Sequence, residues 1–183
     1  MKLLCLASIV ILAGCSSRPP LPVLGEVADF HLTSQTGETI DLHSLQGHVW
    51  VADFFFTTCP GPCPRMSDQM RQIQAATSST PDVKLVSFTV DPAHDTPVVL
   101  AAYAKHFLAQ PSRWYFLTGA QGTLNDLGLH GFKLNPVDGS LDHSTRFVLV
   151  DRRARIRAYY TTSEDGFLKP LLEDLRQLER EKS

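Results

Sequence analysis

The sequence has 183 residues, with 17 Lys and Arg against 19 Asp and Glu, and both signs are scattered along its length. A formal net charge of -2 argues against a nucleic-acid-binding surface and against a strongly basic membrane-binding face. Four cysteines are too few for a disulfide-dense scaffold, and the chain is long enough for one domain that buries its own core.

Met1-Lys2 opens onto the mostly apolar run Leu3 to Ala13, which is too short to span a bilayer and has the shape of a secretion signal. Leu12-Ala13-Gly14-Cys15 resembles a bacterial lipobox. That resemblance implies a signal peptide over residues 1–14 and a mature chain starting at a lipidated Cys15, exported and lipid-anchored to the cell membrane, facing the periplasm or the cell exterior. Residues 15–24 carry Pro19, Pro20 and Pro22 and no amphipathic period, so they read as a tether, leaving 25–183 as the domain. Cys5 leaves with the signal and Cys15 is taken by lipid, so Cys59 and Cys63 remain, in a compartment where a disulfide can persist.

Phe30 and Leu32, a turn over Gln35 to Glu38, then Ile40 and Leu42 predict an N-terminal hairpin. Val49 to Phe56 is a continuous apolar run, the pattern of a central strand buried on both faces. A helix follows the cysteine loop, with Pro64 in its first turn and Met66, Met70 and Ile73 on one face. Val83 to Val90 predicts a second buried strand, and Asp95-Thr96-Pro97 opens a helix through Phe107. Trp114 to Leu117 reads as a short strand, Leu124 to Leu129 as a short helix, and Gly131 to Asp142 as an inserted loop. Phe147 to Val150 and Ile156 to Tyr160 predict two more strands, and a helix from about Phe167 closes the chain. The basic stretch Arg152 to Arg157 reads as a solvated turn between those strands. The order predicts an α/β domain with a central mixed sheet. With a cysteine pair where the first long buried strand meets its helix, it resembles the thioredoxin-like fold, which hosts peroxidases, reductases and metal carriers alike.

The stretch Thr57-Thr58-Cys59-Pro60-Gly61-Pro62-Cys63-Pro64 places two thiols three residues apart at a predicted helix start. Free N–H groups and the helix dipole there favour a thiolate, with Cys63 expected to gain most. A thiolate serves as a metal ligand and as a nucleophile in disulfide exchange, so this argument leaves both chemistries open. Two thiols would suit a soft metal, and a histidine would add discrimination. Of seven histidines, His31, His43, His48 and His106 read as structural or surface residues, whereas His143 stands just before a strand that in this fold lies beside the cysteine loop.

Three ordered motifs then make a specific resemblance: FTTCPGPCP at 56–64, VDPAHDTP at 90–97 and DHSTRFVLVD at 142–151. Together they resemble the Sco/SenC family, thioredoxin-like copper chaperones for cytochrome oxidase assembly. The resemblance implies copper, as Cu(I) or Cu(II), held by Cys59, Cys63 and His143, with delivery to a cytochrome oxidase copper-site subunit or another exported copper client. It also marks Asp91, after the second buried strand, as an outer charge beside the cysteine loop, and treats Asp95 as a residue of the helix cap. Gly61-Pro62 departs from the better-known members, and His143-Ser144-Thr145 lacks the proline of thioredoxins at that strand start. Ala52 and Phe56 stand where a peroxiredoxin has Pro and Thr, which argues against that activity. The alternative reading is a thiol-disulfide oxidoreductase, with Cys59 attacking and Cys63 resolving, that reduces cysteines of exported or copper-site clients.

Overall fold

The computed structural model describes residues 18–134 and 144–181. Its centre is one eight-stranded mixed sheet, and the reason is visible in β4 (Val49–Phe55), where every residue is buried. A strand covered on both faces needs parallel or antiparallel neighbours on each side. β4 has β5 (Val83–Thr89) parallel on one side and β7 (Arg146–Val150) antiparallel on the other. Beyond β5 comes β6 (Trp114–Thr118), parallel, and then the hairpin β2 (His31–Ser34) and β3 (Thr39–Asp41). Beyond β7 come β8 (Arg155–Thr161) and the two-residue strand β1 (Gly25–Glu26), giving the order β1-β8-β7-β4-β5-β6-β2-β3. Gly37, with φ +82°, supplies the left-handed residue that closes the hairpin turn through its N–H to the Ser34 carbonyl.

The pleat of β4 sorts its side chains to two faces. Trp50 and Phe54 meet Phe132, with ring centroids 5.9 and 5.5 Å apart, under a face completed by Phe30 and Phe88. Val51, Asp53 and Phe55 point the other way, where α2 (Pro62–Ala76), α3 (Pro97–His106) and α5 (Leu168–Arg180) cover the sheet. Phe55 stacks obliquely on Tyr103 of α3 at 5.2 Å, and Tyr103 is hydrogen-bonded to Ser67 of α2. Burying each of Trp50, Phe54 and Phe55 contributes about 2 to 3 kcal/mol, so β4 is firmly held. A short helix, α1 (Leu42–Leu45), follows β3 and is capped by the Asp41 carboxylate.

This is the thioredoxin-like arrangement expected from the sequence, with the hairpin in place. The fourth helix differs: α4 (Gln121–Asp126) begins earlier than the apolar residues suggest and passes into a π-helical turn, Leu127–Gly131. That turn delivers Phe132 to the core, and a Cβ on Gly131 would lie 2.9 Å from Leu127 Cδ1. The arginine stretch forms the turn after β7 and, from Arg155, the start of β8, and it is not merely solvated. Arg157 is only 3% exposed and pairs with Asp151 and Glu181, while Arg152 donates to the Leu178 and Glu179 carbonyls at the end of α5.

Residues 18 to 24, read from sequence as part of a tether, are laid against the domain. Gln177 donates to the Pro19 carbonyl at 2.8 Å, Arg157 to the Leu21 and Pro22 carbonyls, and the Leu24 N–H to the Ile156 carbonyl. The signal peptide and Cys15 lie outside the described residues, as do most of the inserted loop and His143 after it. Among the described residues no helix is long and apolar enough to cross a membrane.

Candidate metal centre

Cys59 and Cys63 stand where β4 gives way to α2. The chain turns after Phe56, whose carbonyl accepts the Cys59 N–H at 3.3 Å, and the helix starts at Pro62. Proline suits a first helical position because its missing N–H has no partner there in any case. Cys63 is therefore inside the first turn of α2, not ahead of it, and it is fully buried, while Cys59 is 8% exposed. No disulfide joins the two, and the Cys63 side chain is hydrogen-bonded with Cys59 and with the Phe56 backbone.

The expected lowering of the Cys63 thiol does not occur. Burial pushes it up, the hydrogen bond with Cys59 adds to the rise, and the Phe56 backbone offsets only part of it. The helix dipole is worth well under the cost of placing an anion in this apolar setting. Cys63 is a protonated thiol at neutral pH, so its recruitment as a metal ligand releases a proton.

Beneath the pair lies Asp53, buried and with neither carboxylate oxygen in a well-formed hydrogen bond. Its neighbour across the strand pair, Ser87, accepts the Trp114 indole N–H at 3.0 Å and has its own hydroxyl proton to turn toward Asp53, which works to lower the carboxyl. Burial dominates and pushes the carboxyl up to about 7. Asp53, Cys63 and Tyr103 form one electrostatic neighbourhood: the charge of Asp53 raises both the thiol and the phenol, whose main cause of elevation is burial. Sequence reasoning passes over Asp53; its signal is a lone carboxylate in an otherwise apolar strand.

A second buried carboxylate ties the cysteine loop to the loop after β5. Asp95 is fully buried and is not the helix cap, a role taken by Thr96, which accepts the Val99 N–H. Asp95 accepts the Thr57 N–H at 3.1 Å, the Thr57 hydroxyl, and the Thr89 hydroxyl at 2.5 Å. Thr89 Oγ1 in turn accepts the Asp91 N–H. The Val90 N–H also donates to the Phe55 carbonyl, so both loops leave the sheet side by side. Asp91 is partly exposed, and its carboxylate accepts the His94 N–H at 3.4 Å, a contact that shapes the turn. No local sequence signal marks Thr57 and Thr89 as partners of Asp95. Asp95→Asn replaces an acceptor by a donor facing these hydroxyls, and is expected to cost about 1 to 3 kcal/mol. Urea unfolding reads the loss, and faster amide hydrogen exchange at Thr57 shows that it falls on the cysteine loop.

Among the described residues no group of three or more His, Cys, Asp and Glu side chains is arranged to hold a metal. The structure brings Cys59 and Cys63 together, and sets Asp91 on the adjoining loop. β7 runs antiparallel to β4, with Val148 opposite Ala52, so its first residues stand at the end of the sheet where the cysteine loop begins. Thr162 donates through its N–H and hydroxyl to the Thr145 carbonyl, and Gln69 of α2 donates to the Thr162 carbonyl. The start of β7 is thereby fastened to the helix that carries Cys63.

Comparison with known proteins agrees with this fold. Copper-bound ScoI from Bradyrhizobium japonicum shares the fold, with a TM-score of 0.68 at 22% identity, over 84% of this chain and 99% of its own. BsSco, a member of the Sco family of cytochrome c oxidase assembly proteins in which a disulfide switch is identified, gives 0.78 at 30% identity, over 90% of this chain and 100% of its own. A SCO1/SenC family lipoprotein from Bacillus anthracis gives 0.78 at 31% identity, over 85% of this chain and 96% of its own. A family model described as SCO1/SenC matches residues 23–178, nearly the whole domain that carries the cysteine loop, and on that match the chain belongs to the SCO1/SenC family.

Proposed function

We propose that this protein is a membrane-tethered copper carrier for assembly of the dinuclear copper site of a respiratory cytochrome oxidase. Cys59, Cys63 and His143 are the copper ligands in this reading, and Asp91 is an outer charge on the adjoining loop. The observation that carries it is the fastening of the start of β7 to α2 through Thr145, Thr162 and Gln69, immediately after His143 in the chain. Two adjacent soft sulfurs with one borderline imidazole suit copper in either oxidation state. The copper-bound ScoI and the oxidase-assembly role of BsSco support both cargo and client. The lipobox at Cys15 and the lipoprotein nature of the Bacillus anthracis relative support an exported, lipid-anchored protein.

A second chemistry uses the same pair. Cys59, the more exposed thiol, attacks a client disulfide as its thiolate, forming a mixed disulfide and expelling one client thiolate. Cys63 loses its proton and attacks the Cys59 sulfur, which releases the second client thiol and leaves a Cys59–Cys63 disulfide. The client gains two electrons and the pair loses two. The hydrogen bond between the two side chains and the disulfide switch of BsSco favour this step.

Copper titration of the reduced domain beginning at Arg18 separates the two. The expected result is one tightly bound copper per chain, weakened by about tenfold or more, or about 1.4 kcal/mol, in His143→Ala, while the disulfide still forms. No stable copper, or binding indifferent to His143, would leave the oxidoreductase as the function.

A further inference from the structure

We infer that the outer face of α5 is a membrane-docking surface, seated on the anionic headgroups of the bilayer that holds the lipid anchor. The inference rests on the lipid-anchor reading of Cys15 given above. It begins with how the chain leaves the domain. Arg18 pairs with Glu173 and Asp174 of α5 at 3.2 and 3.1 Å. These exposed pairs contribute little by themselves. The bonds behind them are sheltered: Gln177, 9% exposed, holds the Pro19 carbonyl, and Arg157 holds those of Leu21 and Pro22. The path from Arg18 to β1 therefore has no slack.

Cys15 precedes Arg18 by three residues, a separation that even a fully extended chain spans in at most about 11 Å. An acyl anchor on Cys15 thus brings Arg18, and the middle of α5 with it, to the headgroup region. A free ten-residue tether would leave the domain able to present any face; seven of those residues are laid on the domain.

The surface thus delivered suits such a partner. Lys169, Leu172, Glu173, Arg176 and Arg180 recur at helical spacing on one stripe of α5. Lys169, Arg176 and Arg180 are exposed, and with Arg18 they set four cations against the two acids that Arg18 pairs with, Glu173 and Asp174, leaving a positive excess on this stripe. Between the cations lies an open groove of about 470 Å³ floored by the half-buried Leu168 and Leu172. Lysine and arginine at a membrane surface are drawn to anionic lipid, and the leucines add apolar contact at the interface.

The test uses the full lipoprotein in vesicles of phosphatidylcholine and phosphatidylglycerol, with a trace of phospholipid bearing a photoactivatable diazirine on its headgroup. After irradiation, digestion and mass spectrometry read both acylation of Cys15 and the sites of crosslinking. The expected result is an acylated Cys15 and several-fold more crosslinking on the α5 peptides than on the hairpin turn at Gln35 to Glu38 or on exposed Val98 of α3. Lys169→Glu with Arg176→Glu should lower the α5 signal while leaving acylation and copper binding as they are. Acylation with crosslinks spread evenly over the surface would overturn this inference alone. An unmodified Cys15 would overturn it together with the anchor.

Discussion

Metal-free protein is expected to lose about 4 kcal/mol of unfolding free energy as the pH rises from about 4 to about 7, and Asp53→Asn is expected to lose almost none of it. The cause is the burial of Asp53 between β4 and the helices, which lifts its carboxyl from 3.8 to about 7. In the folded protein the group keeps its proton up to about 7, whereas in the unfolded chain it ionises near 3.8. Between those values the native state binds more protons than the unfolded one, so stability falls with rising pH and levels off above about 7. Urea unfolding of the wild type and of Asp53→Asn at half-unit steps from pH 4 to 8 gives the difference curve. Groups common to both proteins cancel in it, and parallel profiles would sink the assignment. Asp151 does not confuse the window. Burial alone would raise its carboxyl, but hydrogen bonds from Arg155 and Arg157 outweigh that and hold it below its ordinary value. Its contribution is lost on the acid side. Cys63, pushed up by burial, acts above the ordinary thiol range.

Arg157→Met should cost about 3 kcal/mol, whereas Arg155→Met should cost at most about 1. Both arginines reach the Asp151 carboxylate at 2.8 Å, so a count of ion pairs would rank them equally. Their surroundings differ. Arg155 is 29% exposed, and its charge is largely hydrated with or without a partner. Arg157 is 3% exposed and also holds Glu181 and two backbone carbonyls of the N-terminal segment. Methionine replaces its aliphatic stem but leaves those acceptors without a donor. Thermal or urea unfolding measures the cost, and hydrogen exchange at the Leu24 amide reports release of residues 18 to 24. Equal losses in the two variants would show that burial is not what separates them.

Much of the fold is legible because the central strands are buried on both faces. Val49 to Phe55 is apolar but for Asp53, and Val83 to Thr89 is apolar at most positions, and these runs fix the sheet and the place of the cysteine loop. What escapes the sequence is non-local. β1 has two residues and no pattern, and exists because β8 offers it an edge. Arg157 looks like part of a solvated cluster because its partners lie 6, 24 and 135 residues away. The pull of a helix start on Cys63 is predictable from the residue order, but the burial that overrides it depends on α2 and α3 closing over β4. For the candidate centre, the motifs bring Cys59 and Cys63 forward at once. The partners and burial of the acids in their setting, Asp53 and Asp95, come into view only with the core around them.

The depth at which β4 is held has a bearing on how the site responds to chemistry. Phe54 and Phe55 are locked on opposite faces, and Cys63 begins a helix packed on the same core. Exchange of a bound ion for a disulfide, or a change in its oxidation state, must then be absorbed by the span between Phe56 and Pro62. Confined to so few residues, such a rearrangement leaves the sheet and the body of α2 where they stand.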